Sequence, residues 1–249
     1  MKSVGFIGQI DNNGFILCVA KLVSAFGNKV IVIDATATQK SRYNTPNMFN
    51  ISRLDQSIVL YDNIDVAIGF NNILEIKKYK LTKGEDFNDY DYVFIYTDRE
   101  EMCEEFDIKN ANQLFFMATF DHFDLYRGVE LLKFVTATKR RENTEARLDV
   151  NKVISYTQKN TPATTLINNL TSELEVNWQG SDIIPSYDEG DLSVYIQNQY
   201  DNKIDFKQLS EQTKDAVTNA TIRIIDEPKD RVKKAVKNIE KNSSFMIRR

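Results

Sequence analysis

The sequence predicts an α/β protein whose doubly wound, mostly parallel sheet is flanked by helices. Short apolar or β-branched runs, most of them continuous, are typical of strands buried on both faces of a parallel sheet, and they occur at residues 4–7, 30–33, 58–61, 93–96, 114–118 and 153–156. Segments with apolar residues three and four apart predict helices at residues 15–25, 124–136, 162–174 and 208–221. This alternation of strand and helix indicates a layered α/β fold.

Length and composition fit one domain followed by a distinct C-terminal segment. The chain has 249 residues, 42% of them hydrophobic and 27% charged, which is ordinary for a soluble protein. We predict an α/β domain over residues 1–227 and a basic amphipathic helix or tail over 228–249, with an extended polar connection at 36–57. Because the sequence has no apolar run of the ~18–20 residues that span a membrane and no signal-peptide pattern, we expect a cytoplasmic protein.

Cysteine and histidine usage excludes several kinds of site. The two cysteines, Cys18 and Cys103, cannot build a disulfide framework or a metal cluster. A single histidine, His122, does not support a histidine-based triad or a multi-histidine metal site. We therefore expect no metal centre.

The segment between the first strand and the first helix has the place of a phosphate-binding loop without its residues. Such a loop needs glycines that let backbone N–H groups surround the anion, a lysine for the outer phosphates and a Ser or Thr hydroxyl for magnesium. Here residues 8–14 are Gly-Gln-Ile-Asp-Asn-Asn-Gly, with neither lysine nor hydroxyl. Gly8 and Gly14 favour a tight turn, and Asp11 puts negative charge where an anion would lie.

The strand that follows carries a resemblance to a known family. The segment Lys-Val-Ile-Val-Ile-Asp at 29–34 resembles the KVLLID strand of MinD/ParA-type deviant Walker ATPases, which include septum-site, plasmid-partition and CpaE-like pilus-assembly members. The family's loop pattern KGGVGKTT, aligned without gaps, places Ile7 at the signature lysine, Asn12 at the phosphate lysine and Asn13 at the magnesium-binding threonine. The resemblance implies a degenerate nucleotide site around Gly8, Asn12 and Asn13.

Further segments repeat the family pattern with key residues replaced. Residues 90–98, Tyr-Asp-Tyr-Val-Phe-Ile-Tyr-Thr-Asp, resemble the YDYIIIDTP strand, and its magnesium-shell aspartate falls on Tyr96. Asp34 matches the first aspartate of the DxDPQ switch, although an aspartate that ends a strand is also a common cap. The resemblance implies that Asn151 and Pro185 border the base, and their alternative roles are a strand-end turn and a loop stiffener. It leaves the chain with no catalytic residue.

Charge separates the C-terminal segment from the rest of the chain. Residues 229–249 hold eight basic and two acidic side chains, a net charge of +6, so residues 1–228 carry −10 of the total of −4. MinD-like proteins use a basic amphipathic C-terminal helix to hold membranes, and the resemblance implies that this segment docks on an anionic membrane or partner. The predicted contact residues are Lys233, Lys234, Val236, Lys237 and Ile239. Packing of the helix on its own acidic body is the alternative.

Together these observations predict a catalytically inactive ATPase-like adaptor or positioning protein of a bacterial secretion, conjugation or pilus-assembly machine. We expect no cofactor, protein partners in an envelope-associated assembly, peripheral contact with the inner face of the membrane, and self-association that is independent of ATP. One alternative is an active or weakly active partition or septum-positioning ATPase that uses Lys21 or Lys40 as the phosphate cation. Another is a scaffold subunit that binds no nucleotide. The acidic body argues against nucleic acid as the main ligand.

Overall fold

The computed structural model describes residues 1–44, 55–142, 147–157, 165–186 and 188–245, with side chains described up to Lys241. Within these ranges one sheet contains eight strands in the order β3-β4-β2-β5-β1-β6-β7-β8, and β3 alone runs antiparallel to its neighbour. The strands are β1 (Lys2–Ile7), β2 (Val30–Asp34), β3 (Ser57–Tyr61), β4 (Ile64–Ile68), β5 (Tyr92–Thr97), β6 (Gln113–Ala118), β7 (Leu148–Ile154) and β8 (Val176–Trp178). This architecture confirms the predicted fold class.

Helices cover both faces of the sheet and create two apolar cores. They are α1 (Asn13–Ser24), α2 (Ile73–Thr82), α3 (Glu100–Glu105), α4 (His122–Glu142), α5 (Thr165–Leu170), α6 (Glu189–Asp201), α7 (Glu211–Ile225) and α8 (Lys229–Phe245). Side chains alternate across each strand, so Val30 and Val32 of β2 join the core under α1, α7 and α8, while Ile31 and Ile33 join the core on the opposite face. Both faces are thus closed to water, as a parallel sheet requires.

Local sequence signals explain where several elements begin. The side chains of Asn72, Asp188 and Ser210 accept hydrogen bonds from the third backbone N–H of α2, α6 and α7 at 3.0, 2.9 and 3.1 Å, which is the usual N-cap arrangement. Asp62 and Asn63 have φ angles of 47° and 68° and form the two-residue connection between β3 and β4. Asn and Asp tolerate this left-handed conformation, which suits a tight hairpin.

All six predicted strands occur, but some boundaries and elements differ. Strand β7 covers residues 148–154 instead of 153–156, and the short strands β4 and β8 and the helices α2, α3 and α6 were not predicted. Helix α5 is shorter than the predicted 162–174, whose first residues lie outside the described ranges. The predicted extended connection at 36–57 contains a 3-10 turn at Lys40–Tyr43, and its residues 45–54 are outside the described ranges.

The C-terminal helix α8 is part of the domain's packing, which corrects the docking prediction. Val232, Val236 and Ile239 are at most 9% exposed and belong to the core formed with α1 and α7. Lys233 and Glu240 form ion pairs with α7, to Asp215 at 3.2 Å and Lys214 at 2.7 Å. Val236 and Ile239 therefore cannot contact a membrane or partner in this arrangement, because burial of apolar area against α7 competes with docking.

The lysines predicted beside that apolar stripe lie on the solvent side of α8. Lys233, Lys234 and Lys237 are all exposed. Their contact with a membrane or a partner therefore stays a prediction, separate from the buried stripe. Residues 246–249, which the prediction also used, lie outside the described ranges.

Candidate functional site

The loop between β1 and α1 lies at the carboxyl ends of the parallel strands, where open α/β sheets bind their ligands. Gly8 is pressed against β6, since a Cβ built on it would lie 2.1 Å from the carbonyl oxygen of Met117. Gly14, in the first turn of α1, faces Tyr195 of α6, and a Cβ there would lie 2.6 Å from its ring. Both glycines are therefore required by close packing within the chain.

Tyr96 closes this loop from the end of β5. Its hydroxyl donates a hydrogen bond to the carbonyl oxygen of Ile10, and the residue is only 5% exposed. Burial raises the pKa of Tyr96 well above its ordinary value, and the nearby charges of Asp11, Asp34 and Asp98 act in the same direction. The phenol is thus a neutral donor. In the alignment this position holds the magnesium-shell aspartate, so an aromatic ring and a carbonyl contact stand where the family has a carboxylate that helps to hold the metal ion.

The residues aligned with the phosphate lysine and the magnesium threonine are buried and hydrogen-bonded to other parts of the chain. Asn12 is 1% exposed, and its Oδ1 accepts a hydrogen bond from the Ser155 hydroxyl at 3.1 Å. Asn13 is buried, and its Oδ1 accepts one from the Ser41 hydroxyl at 3.0 Å. The Nδ2 atom of Asn12 is buried and has no hydrogen-bond partner among the described residues. The two asparagines therefore anchor the loop to the end of β7 and to the 3-10 turn.

Asp34 serves as a cap for the segment that follows β2. Its Oδ1 accepts hydrogen bonds from the backbone N–H and the hydroxyl of Thr36 at 3.1 and 2.6 Å. Its Oδ2 accepts one from the backbone N–H of Ser41 at 2.9 Å. The residue is 2% exposed. This geometry matches the capping alternative, and it directs both carboxylate oxygens to the protein's own backbone.

The cavity between this loop and Asp34 is small and acidic. A cavity of about 90 Å³ is lined by Gln9, Asp11, Asn13, Asp34, Thr36, Thr38, Lys40, Tyr96 and Asp98, well below the ~300–1,000 Å³ typical of small-molecule sites. Burial raises the pKa of Asp98. Lys40 pairs with Asp11 at 2.7 Å, and that hydrogen bond raises the pKa of Lys40. One paired ammonium among three carboxylates does not suit a triphosphate.

Lys21, the other predicted phosphate cation, lies away from the loop and is held by Asp62. Lys21 donates hydrogen bonds to the carboxylate and the carbonyl of Asp62 at 2.7 and 2.8 Å, next to the β3–β4 turn. The described residues contain no group of three or more His, Cys, Asp or Glu side chains arranged to hold a metal ion. A second cavity of about 170 Å³ lies between the start of α1 and α6 and is lined largely by aromatic, aliphatic and amide side chains.

Asn151 lies inside β7 and not at its end. Asn151 pairs with Phe115 in the sheet, three residues before β7 ends at Ile154, and its Nδ2 donates to the carbonyl of Leu114 at 3.2 Å. Its Oδ1 accepts a hydrogen bond from Arg223 at 2.9 Å. The prediction of a strand-end position for Asn151 was wrong, because β7 continues beyond it to Ile154. Pro185 is buried between the Val153–Ile183 bridge and α6.

The sequence did not reveal the partners that close the site. Ser41 lies in a polar segment and Ser155 in the apolar run 153–156, and nothing in their spacing indicates that they contact the loop. Replacement of the aspartate by Tyr96 was visible in the alignment, but the contact of its hydroxyl with Ile10 depends on the path of the loop.

Comparison with known proteins gives a match at the level of structure. No protein-family model and no curated protein matches the sequence. A chain of the MinC:MinD cell division protein complex of Aquifex aeolicus superposes with a TM-score of 0.59 and 8% identity, covering 92% of this chain and 97% of that one. MinD cell division protein of the same organism gives 0.56 and 11%, covering 92% and 98%. The chain has the MinD/ParA-type fold.

A third neighbour adds a plasmid-partition protein to the comparison. A Borrelia burgdorferi B31 protein assigned to plasmid partition, with AMPPNP bound, has a TM-score of 0.52 and 16% identity, covering 90% of this chain and 100% of that chain. Identities this low establish the fold, a P-loop NTPase-like sheet flanked by helices, and leave the chemistry to the residues of this chain. Among the described residues, no helix combines the length and apolar character needed to cross a bilayer.

Proposed function

We propose that this protein is a pseudo-ATPase, a MinD/ParA-fold protein that does not hydrolyse ATP and acts through protein contacts as an adaptor or positioning factor. The observation that carries the proposal is the hydrogen bond from the Tyr96 hydroxyl to the Ile10 carbonyl, which holds the loop shut. Phosphoryl transfer depends on cations that stabilise the charge developing on the phosphate. This chain has Ile7, Asn12 and Tyr96 where the family has two lysines and the magnesium-shell aspartate.

An active or weakly active partition or septum-positioning ATPase is the second candidate, and Lys40 is the residue that would support it. Its ammonium group is half exposed and borders both cavities at the loop. To serve a phosphate it must leave Asp11, which lies 2.7 Å away. Lys21 is a weaker choice because Asp62 and its carbonyl already hold it. A scaffold that binds no nucleotide is the third candidate and fits the closed loop equally well.

The process is proposed from resemblance. The structural neighbours include MinD with its partner MinC and a protein assigned to plasmid partition, which favours a positioning role with a protein partner. The CpaE-like character of the degenerate motifs suggests an envelope-associated machine for secretion, conjugation or pilus assembly. The proposal places the protein in the cytoplasm, with peripheral membrane contact through Lys233, Lys234 and Lys237. Because Ile7 cannot reach a phosphate in another subunit, any self-association is independent of ATP.

Calorimetric titration with ATP, with and without magnesium, tests the proposal together with a hydrolysis assay on the full chain. We expect no magnesium-dependent binding and no turnover above buffer. Magnesium-dependent binding that Lys40→Gln abolishes would support the active alternative instead, and Lys133→Gln on the far side of α4 is the matched control. Light scattering that shows dimers only with ATP and magnesium would contradict the proposed assembly mode.

A further inference from the structure

A cleft at the amino edge of the sheet, opposite the closed loop, is the largest cavity described at either edge. It has a volume of about 570 Å³. It lies where β6 and β7 begin, at Gln113 and Leu148, and it is bordered by residues 108–112, the last turns of α4 and Gly180 after β8. This volume falls within the ~300–1,000 Å³ of small-molecule sites.

The lining of the cleft is basic. Its charged members are four cations, Lys109, Lys139, Arg147 and Arg223, and a single carboxylate, Asp149. That carboxylate accepts hydrogen bonds from neutral amides, those of Asn177 and Gln179, both at 2.7 Å. The body as a whole is acidic, so a local excess of positive charge stands out against its surroundings.

Two of these cations lack a carboxylate partner within the described ranges. Arg223 is half-buried, and its guanidinium donates to the Asn151 side chain at 2.9 Å and to the carbonyls of Gln179 and Ser181. Lys139 donates to the Asn110 side chain at 2.6 Å. All of these acceptors are neutral, so they orient the two cations without neutralising them.

Arg223 is the more informative of the two because burying an uncompensated cation is unfavourable. Burial lowers the pKa of Arg223, and the charge of Asp182 raises it. Asp182 itself forms an ion pair with Lys152 at 3.0 Å. Three of the five guanidinium N–H donors serve the chain, which leaves two for another acceptor.

The remaining two cations form ion pairs with carboxylates that do not line the cleft. Lys109 lies 3.1 Å from Asp107 and 3.3 Å from Glu142, and Arg147 lies 3.2 Å from Glu175. The Arg147 side chain is 71% exposed, so its pair contributes little and can give way to a multivalent anion. Lys109 is only 17% exposed and is held by its two carboxylates.

We propose that this cleft binds a small molecule that carries two or more phosphate groups, held by Arg223 and Lys139. Arginine forks and lysine ammonium groups are the usual phosphate partners, and the volume admits a ligand of nucleotide size. The proposal is independent of the closed loop, since it concerns the opposite edge of the sheet.

Calorimetric titration of the full chain with inorganic tripolyphosphate tests it. We expect binding that Lys139→Gln weakens by about tenfold, as expected for loss of one charge-assisted hydrogen bond, with a larger loss for Arg223→Gln. The control Lys133→Gln, on the same helix and exposed, should bind like the native chain. If Arg223→Gln does not fold, the comparison of Lys139→Gln with Lys133→Gln decides alone.

Three results would overturn the proposal. The first is absence of tripolyphosphate binding at low salt. The second is equal weakening by Lys133→Gln, or by Lys40→Gln at the opposite edge with Lys139→Gln unaffected. The third is equal affinity for citrate, which would remove the assignment to phosphate. ATP hydrolysis is measured in a separate assay, so failure of this proposal and failure of the pseudo-ATPase proposal are distinguishable.

Discussion

The two edges of the sheet have opposite character. At the carboxyl edge three cavities that include residues of the β1–α1 loop have about 90, 170 and 280 Å³, and the smallest is lined by three carboxylates and one paired lysine. At the amino edge a cleft of about 570 Å³ has four cations and one carboxylate. Open α/β sheets place their ligands at the carboxyl edge, so in this chain the larger and more basic cavity lies at the edge opposite to the usual one.

The comparison shows how a fold can be kept while its usual site is filled. Asn12, Asn13, Asp34 and Tyr96 lie at the positions that the resemblance assigns to the nucleotide, yet each makes a hydrogen bond inside the chain. Hydrogen bonds that satisfy buried polar groups stabilise the loop in one conformation. In this chain the residues at the nucleotide positions stabilise the loop, and similarity of fold does not imply similarity of chemistry.

The largest expected effect comes from adding one methyl group to the closed edge. Gly8→Ala would bring Cβ within 2.1 Å of the Met117 carbonyl oxygen, so we expect a loss of more than about 3 kcal/mol in unfolding free energy. Gly27→Ala is the control, because its φ of +85° carries strain but no atom lies within 4 Å, and it should cost about 1–2 kcal/mol. Urea denaturation measures both. Equal losses would mean that the loop is not pressed against β6.

Removing one hydroxyl tests the closure directly. Tyr96→Phe leaves the buried Ile10 carbonyl without its donor, so we expect a loss of about 1–3 kcal/mol in unfolding free energy. Tyr126→Phe, at a residue 54% exposed, should change stability by less than about 0.5 kcal/mol. An unchanged stability in Tyr96→Phe would show that this contact does not organise the edge.

The raised pKa of Asp98 at the closed edge should make the folding stability of the protein depend on pH. Burial raises its pKa above the ordinary 3.8, so the folded protein binds this proton more tightly than the unfolded chain does. The carboxyl group therefore favours folding most below pH 3.8, and this contribution is lost as pH rises through the folded-state pKa.

Asp98→Asn removes the charge while its side-chain oxygen can still accept from the Ala37 N–H. Relative to the native chain, the variant should gain stability as pH rises above about 4, by less than about 1 kcal/mol. Chemical denaturation of both chains between pH 3 and pH 7 would reveal this difference in stability, since those values bracket the titration of Asp98. A difference that stays constant over this range would contradict the raised pKa.

The smallest expected effect concerns the open edge. Asp149→Asn removes the carboxylate of the cleft while keeping an oxygen that can accept from Asn177 and Gln179. We expect tripolyphosphate affinity to rise by about two- to threefold, because a repulsive charge near a ligand in water is partly screened. The control is Asp215→Asn, because Asp215 lies on α7 and pairs with Lys233 of α8. This variant should leave tripolyphosphate affinity unchanged. A decrease in Asp149→Asn would indicate that this carboxylate positions the ligand.

Strands were predictable from the sequence where burial on both faces leaves a continuous apolar run, as in β2 and β5. Strand β4 was missed because its connection to β3 is only Asp62 and Asn63, too short to separate two strands by composition. Strand β7 was misplaced because the polar residues Asn151 and Lys152 are buried inside it. A polar pair of this kind indicates a strand end unless its partners are known.

Site positions were predictable, but their contacts were not. The alignment located Asn12, Asn13 and Tyr96 in one place, and the structure brings them together around the loop. The hydroxyls of Ser41 and Ser155 reach that loop from residues 28 and 143 positions away, and no local pattern encodes contacts of such range. The prediction for the apolar stripe of α8 failed for the same reason, because periodicity shows that one face of a helix is apolar without showing what covers it.

The neutral hydrogen bond of Tyr96 bears on how long complexes of this protein last. ATPases that alternate between nucleotide states use hydrolysis as a clock, which sets how long each assembly lasts. Under the pseudo-ATPase proposal, a loop held by the hydrogen bond from the Tyr96 phenol to the Ile10 carbonyl presents one surface whatever the ATP level. The lifetime of a complex built on that surface then depends on its dissociation rate, and its abundance on concentration. Under the pseudo-ATPase proposal, regulation of this protein therefore acts through how much of it, and of its partner, is made.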